Sequence, residues 1–406
     1  MRPLALAISL SIALLAGCGG GGGNSAPTRT PPPPLARGPA ICMGGSAADF
    51  ACLGINLRQR LPPAELGGGS ANDVWGWHDP ITGHEYALLG MTNGTAFVDI
   101  TDPENPVFIG RMPTQTVASA WRDIKVFEDH AYVVADGAGA HGMQVFDLTR
   151  LRVGQAPPQT LLPNVVYGDF ENAHNLAINE ATAFAYAVGT NTCNGGLHMI
   201  DILTPNNPLF AGCHSDAETH DTQCVVYQGP DSDYTGREIC FSSTGNDFGI
   251  DDVTVKSAPV TISATTYPDL AFVHQGWATE DHRYFLLGDE FDEINFGVPT
   301  RTHVFDIGDL DAPVYLFAYE GPTAATDHNL YVRGDLVFEA NYTSGLSVLN
   351  IGDLGNAELA EIGFFDTFPT SDAAGTSGAW SVYPYLPSGA IIVSDRTTGL
   401  FLLTLQ

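Results

Sequence analysis

Lysine is almost missing from this sequence: Lys125 and Lys256 are the only two in 406 residues, and 46 acidic against 16 basic side chains give a formal net charge of -30. So anionic a surface repels phosphate backbones, which excludes a nucleic-acid partner and suits a well-solvated protein or one that gathers cations. There is no GxSxG elbow, no HExxH helix, no phosphate loop and no dinucleotide fingerprint, so the familiar signatures of hydrolases and nucleotide enzymes are absent. The motifs therefore lean away from an enzyme, although a site assembled from separated loops leaves no such signature. No CxxC spacing occurs, which argues against a zinc knuckle. Helical periodicity is scarce too, so the 44% hydrophobic content has to be buried by strands.

What is present begins with an address. Met1-Arg2 and the apolar run "PLALAISLSIALLA" have the form of a signal peptide over residues 1–17, too short for a mature membrane span. "LAGC", ending at Cys18, looks like a bacterial lipobox, which implies cleavage before Cys18 and its acylation; acyl chains would be the only link to a membrane. No aspartate follows Cys18, which favours the outer membrane or cell surface. Five glycines and a proline run then make residues 18–39 a tether, leaving 40–406 as the folded domain. Six cysteines remain there, an even number that suits disulfides in an exported chain; proximity pairs Cys42 with Cys52, Cys193 with Cys213 and Cys224 with Cys240.

Short apolar runs end at Asp99, Asp147, Asp201, Asp252, Asp306, Asn350 and Thr404, spaced 44 to 54 residues apart. After four of these aspartates a proline follows, at Pro106, Pro208, Pro259 and Pro313. An aspartate can hold the backbone of a turn, and a proline can open an edge strand without needing a donor. The period, with four short strands in each unit, predicts an all-β fold, a seven-bladed β-propeller. The seventh unit ends at Gln406 after its third strand, so "INLRQRLPP" (55–63) is expected to supply the missing outer strand and close the ring.

Several long stretches carry a family resemblance: "ANDVWGWHDPITGHEYALLG", "WRDIKVFEDHAYVVAD", "HGMQVFDLTRLR", "AHNLAINE", "CNGGLHMIDI", "VVYQGPDSDYTGREICF", "HQGWATEDHRYFLLGDE" and "TDHNLYV". From about Cys42 to Gln406 the chain resembles the choice-of-anchor B family of exported bacterial proteins, which belongs with the LVIVD-repeat propellers. The resemblance implies an exported propeller whose anchor differs between members. It carries no reaction and no catalytic residues.

Candidate site residues follow from the repeat. In a propeller, the start of each innermost strand and the end of the next strand meet around one mouth of the central channel. The first set is Asn72, Trp121, His174, His220, His274, His328 and Trp380; the second includes Asp136, Asp289, Glu290, Glu339 and Asp395. Four histidines on consecutive blades among carboxylates suit a divalent metal, a metal-dependent hydrolase or lyase, or a ligand site. The other reading is a lock, each imidazole fixed by its neighbour Asn175, Asp221, Gln275 or Asn329 and bonding between blades. The acidic stretch "GDEFDE", with Asp289, Glu290, Asp292 and Glu293, suits calcium but lacks EF-hand spacing and reads as an exposed loop. Trp75, Trp77, Trp121, Trp277 and Trp380 suit either a sugar-binding mouth or core packing. The best-supported function is binding of a glycan, protein or small ligand at one face, with an architectural envelope role as the alternative outside catalysis.

Overall fold

A computed structural model describes residues 34–152 and 156–406; the signal peptide, Cys18 and most of the tether lie outside the described residues. Residues 36–406 form one compact body. Seven small sheets stand in a ring, each built on four antiparallel strands, and the fold is a seven-bladed β-propeller. Blades 1 to 6 comprise 71–113, 121–167, 175–214, 221–265, 273–320 and 329–365, and blade 7 joins 379–405 to the strand Ile55–Leu61. The innermost strands, in blade order, are Ala71–His78, Trp121–Phe127, Asn175–Asn179, Asp221–Val226, Val273–Ala278, Asn329–Arg333 and Ala379–Tyr383.

The repeat maps onto chemistry at each turn. The side chains of Asp99, Asp147, Asp201, Asp252, Asp306 and Asn350 each accept a hydrogen bond from the backbone N–H two residues on, at 2.8 to 3.0 Å. That bond turns the chain between the third and fourth strands. The outer strands starting at Val107, Leu209, Val260 and Val314 follow directly after the four prolines.

Ring closure is as the unfinished last unit demanded. Ile55–Leu61 pairs antiparallel with Gly399–Leu405 and supplies the fourth strand of blade 7. Ile55, Leu57 and Leu61 are buried in it, each contributing about 1.5–3 kcal/mol by removal from water. The three disulfides join the neighbours in sequence, Cys42–Cys52, Cys193–Cys213 and Cys224–Cys240. Two additions were not foreseen. Ser46–Ala47 and Phe50–Leu53 extend blade 6 outward, and Gln159–Thr160 adds a parallel edge to blade 1.

Polar side chains inside the innermost strands fasten each blade to the next. Asp73 accepts from Ile124 N–H at 3.0 Å, Asp123 from Leu176 N–H at 2.6 Å, and Gln223 from Ala278 N–H at 2.8 Å. Gln275 both accepts from Leu330 N–H and donates to its carbonyl, and Asn175 donates to the His220 carbonyl. Tyr385 reaches back from blade 7 to the Val332 carbonyl, while Glu85 of blade 1 accepts from Ser388 of blade 7. Each buried bond of this kind is worth about 1 kcal/mol net, and more where its loss strands a partner.

Candidate functional site

His174, His220, His274 and His328 open or immediately precede the innermost strands of blades 3 to 6, so the ring brings them to one mouth of the channel. Their rings form a continuous arc, with centroids 4.2 Å apart for His174 and His220, 4.7 Å for His220 and His274, and 4.3 Å for His274 and His328. Trp380 and Tyr342 continue it, 4.7 and 4.6 Å from His328.

Two of the imidazoles are oriented from behind. His328 donates from Nδ1 to the Trp380 carbonyl at 2.5 Å, and His174 donates from Nδ1 to Asp136 at 3.0 Å. In a neutral ring that arrangement leaves Nε2 with its lone pair, the pattern that orients metal-ligating histidines. The other two present buried nitrogens that bond nothing among the described residues, Nε2 of His220 and Nδ1 of His274. Glu290 accepts from Tyr342 Oη at 2.8 Å, and its other oxygen lies 3.7 Å from His274 Nε2. One donor atom from each of His274, Glu290 and His328 falls within 4.8 Å of the other two, so small rotations would bring all three to the bond lengths of about 2 Å that a transition metal requires. A pocket of 360 Å³ adjoins the arc, lined by Asp136, His174, His220 and Phe272. Arg396 lies over the Trp380 ring at 5.1 Å.

Burial favours the neutral form of His220, His274 and His328. Desolvation and then the neighbouring rings hold His220 and His274 well below the ordinary histidine range, and desolvation brings His328 down to about 3. Neutral imidazole is the ligating form. Burial pushes the Glu290 carboxyl up.

The remaining predicted residues divide. Asp289 accepts from Tyr267 Oη and from the Ala271 and Phe272 N–H groups, and Asp395 accepts from Thr367, Thr397 and Thr398; both are consumed by structure. Glu339 lies away from the arc, in a cleft between blades 5 and 6 where it accepts from Thr302 at 2.6 Å. Asn72 bonds the Ala120 carbonyl. Trp121 is 47% exposed, whereas Trp77 and Trp380 are buried. The acidic stretch needs correction: Asp289, Glu290, Asp292 and Glu293 are all buried, because the short helix Asp292–Phe296 packs inward.

Sequence reasoning missed the shape of the opposite mouth. Every innermost strand sends a side chain there, and a 350 Å³ bowl is lined by Trp75, Trp277, Tyr331, Tyr383 and Tyr385. Lys125 forms its floor, paired with Asp123 at 2.6 Å and lying over the Trp75 ring. Burial and then the facing Asp123 carboxylate raise Asp73 despite Lys125, while in Asp123 burial is outweighed by Lys125 and the Asp73 bond. The signal was the polar residue breaking each apolar inner strand, as in "NDVWGW" and "RDIKVF".

No protein-family model matches the chain, and no curated protein matches it.

Proposed function

We propose that this protein is an exported, lipid-anchored propeller that holds a divalent transition metal at its histidine face and captures a ligand there. The observation that carries the reading is the convergence of His274, Glu290 and His328, one donor atom of each within 4.8 Å of the other two, with His328 Nδ1 held by the Trp380 carbonyl. A blade lock alone would leave no reason for His220 and His274 to hold bare nitrogens in a buried arc. His274, His328 and Glu290 are the ligands in this reading, and His174 and His220 border the pocket that admits the bound molecule. The ligand offers an oxygen donor to the metal, on a glycan, a protein side chain or a small acid, and Arg396 favours an anionic one. Export is supported by the lipobox at Cys18, by three disulfides and by the resemblance to the choice-of-anchor B family.

The test is elemental analysis of residues 40–406, purified without chelator or tag-derived metal, beside the His274→Ala/His328→Ala variant. About one transition metal per chain, lost in the variant, is expected. Absence of metal from the wild type, even after incubation with zinc, nickel or manganese and desalting, would overturn the proposal.

A further inference from the structure

Beside the histidine arc lies a group of carboxylates with different chemistry. Asp292 and Glu293 come from the short helix of blade 5, and Asp327 precedes the innermost strand of blade 6. All three are buried, at 0%, 3% and 5% exposure, and one oxygen from each lies within 4.8 Å of the other two. None of their six oxygens meets a donor from outside the group at good hydrogen-bond geometry; the contacts within reach are those of the three carboxyls with one another and with the Glu293 N–H. The nearest positive group, Arg301, stands 3.8 Å from Asp292, and the wholly buried His303 turns an unbonded Nε2 to the same carboxylate at 3.6 Å. Gly288 makes room for this convergence, since a Cβ there would sit 2.1 Å from an Asp327 oxygen.

Three carboxylates withdrawn from water with almost no donors outside their own group are costly, and either protons or a cation must compensate. Carboxylates that have donors look different here. The surface trio of half-buried Asp231 with exposed Asp309 and Asp311 is occupied by turn N–H groups and by Tyr234 Oη. We propose that Asp292, Glu293 and Asp327 form a calcium site that ties the inserted helix of blade 5 to blade 6. Calcium takes six to eight oxygens in adaptable geometry, which three carboxylates can supply largely by themselves, whereas magnesium demands a regular octahedron and retains water. A divalent ion together with Arg301 balances the charge of all three. The inference does not depend on the histidine site, whose nitrogen donors select softer metals.

Isothermal titration of calcium into chelator-treated protein, residues 40–406, is the test, with thermal melts at each concentration. Expected are one equivalent bound and a melting temperature raised by about 4 °C or more at hundredfold excess over Kd, with magnesium much weaker. Asp327→Asn should abolish the response, Asp309→Asn/Asp311→Asn should retain it, and His274→Ala/His328→Ala should retain it while losing transition metal. No calcium binding to the wild type would overturn the proposal and leave a proton-sharing cluster. Binding that survives Asp327→Asn but disappears in Asp309→Asn/Asp311→Asn would overturn it as well. Should Asp327→Asn fail to fold, the wild-type titration and the surface variant still decide.

Discussion

At the histidine end of the channel the inward rings touch one another and two of them carry bare buried nitrogens, whereas at the aromatic end tilted rings surround open space and the lysine of the floor is paired with Asp123. Trp75 stands 5.0 Å from Tyr383, Trp277 stands 5.0 Å from Tyr331, and Tyr385 spends its hydroxyl on the Val332 carbonyl. The same seven strands thus build both ends, a few residues apart, to opposite specifications. One end keeps two buried imidazole nitrogens without partners among the described residues. The other offers apolar faces above a neutralised floor, suited to a ring that stacks. Between them the bonds of Asp73, Asp123, Gln223 and Gln275 hold the blades, so neither mouth has to supply the ring's stability alone.

Deleting residues 40–65 removes the strand that completes blade 7 and should erase both ends together. A thermal melt of the truncated protein is expected to show no cooperative transition; a normal melt would mean that the ring closes without it. Next in size is Lys125→Met, which leaves Asp123 and Asp73 buried without their cation. It should cost about 3–5 kcal/mol in urea denaturation. If the two ends are independent, the transition-metal content of the folded variant stays unchanged.

His328→Ala probes the other end. It removes the donor to the Trp380 carbonyl and should cost about 1–3 kcal/mol while abolishing transition-metal binding. The same cost in stability with metal retained would turn the arc into a lock and dissolve the contrast between the mouths. The smallest effect belongs to Glu339, which serves neither. Burial pushes its carboxyl up to about 7 despite the Thr302 and Asn341 bonds. A raised folded value means that its contribution is fully present below the ordinary carboxylate range and is lost as pH rises through about 7. The stability of the wild type should therefore decline over that window, by at most about 1.4 kcal/mol per pH unit from this group. Glu339→Gln should flatten the decline in melts from pH 5 to pH 8.

The fold was legible because a turn aspartate and an edge proline recur with the blades, and neither depends on distant neighbours. The positions of the four histidines were legible for the same reason. Their state was not, since the bond from His328 to Trp380 and the bare nitrogen of His274 depend on how adjoining blades meet. Local pattern also failed at Asp292 and Glu293: four acids in six residues suggest solvent, and only the packing of the helix against blade 6 reverses that. Glu339 was assigned to the mouth from its place near a strand end, but its side chain faces the cleft between blades 5 and 6. The hairpin at Ser46–Leu53 left no trace in the period because it lies outside the repeat.

The closing strand has a mechanical side. It is the first strand of the propeller proper after the tether, and the chain's other end, Gln406, bonds Asn56 and the Cys42 carbonyl beside it. Tension transmitted from a membrane anchor would arrive at the one strand whose loss opens the ring. Before reaching it, the load meets the Cys42–Cys52 crosslink and the hairpin stitched to the edge of blade 6, which share the force between two blades. Under a load applied from the N-terminal side, reduction of that single disulfide should lower the force at which the ring comes apart.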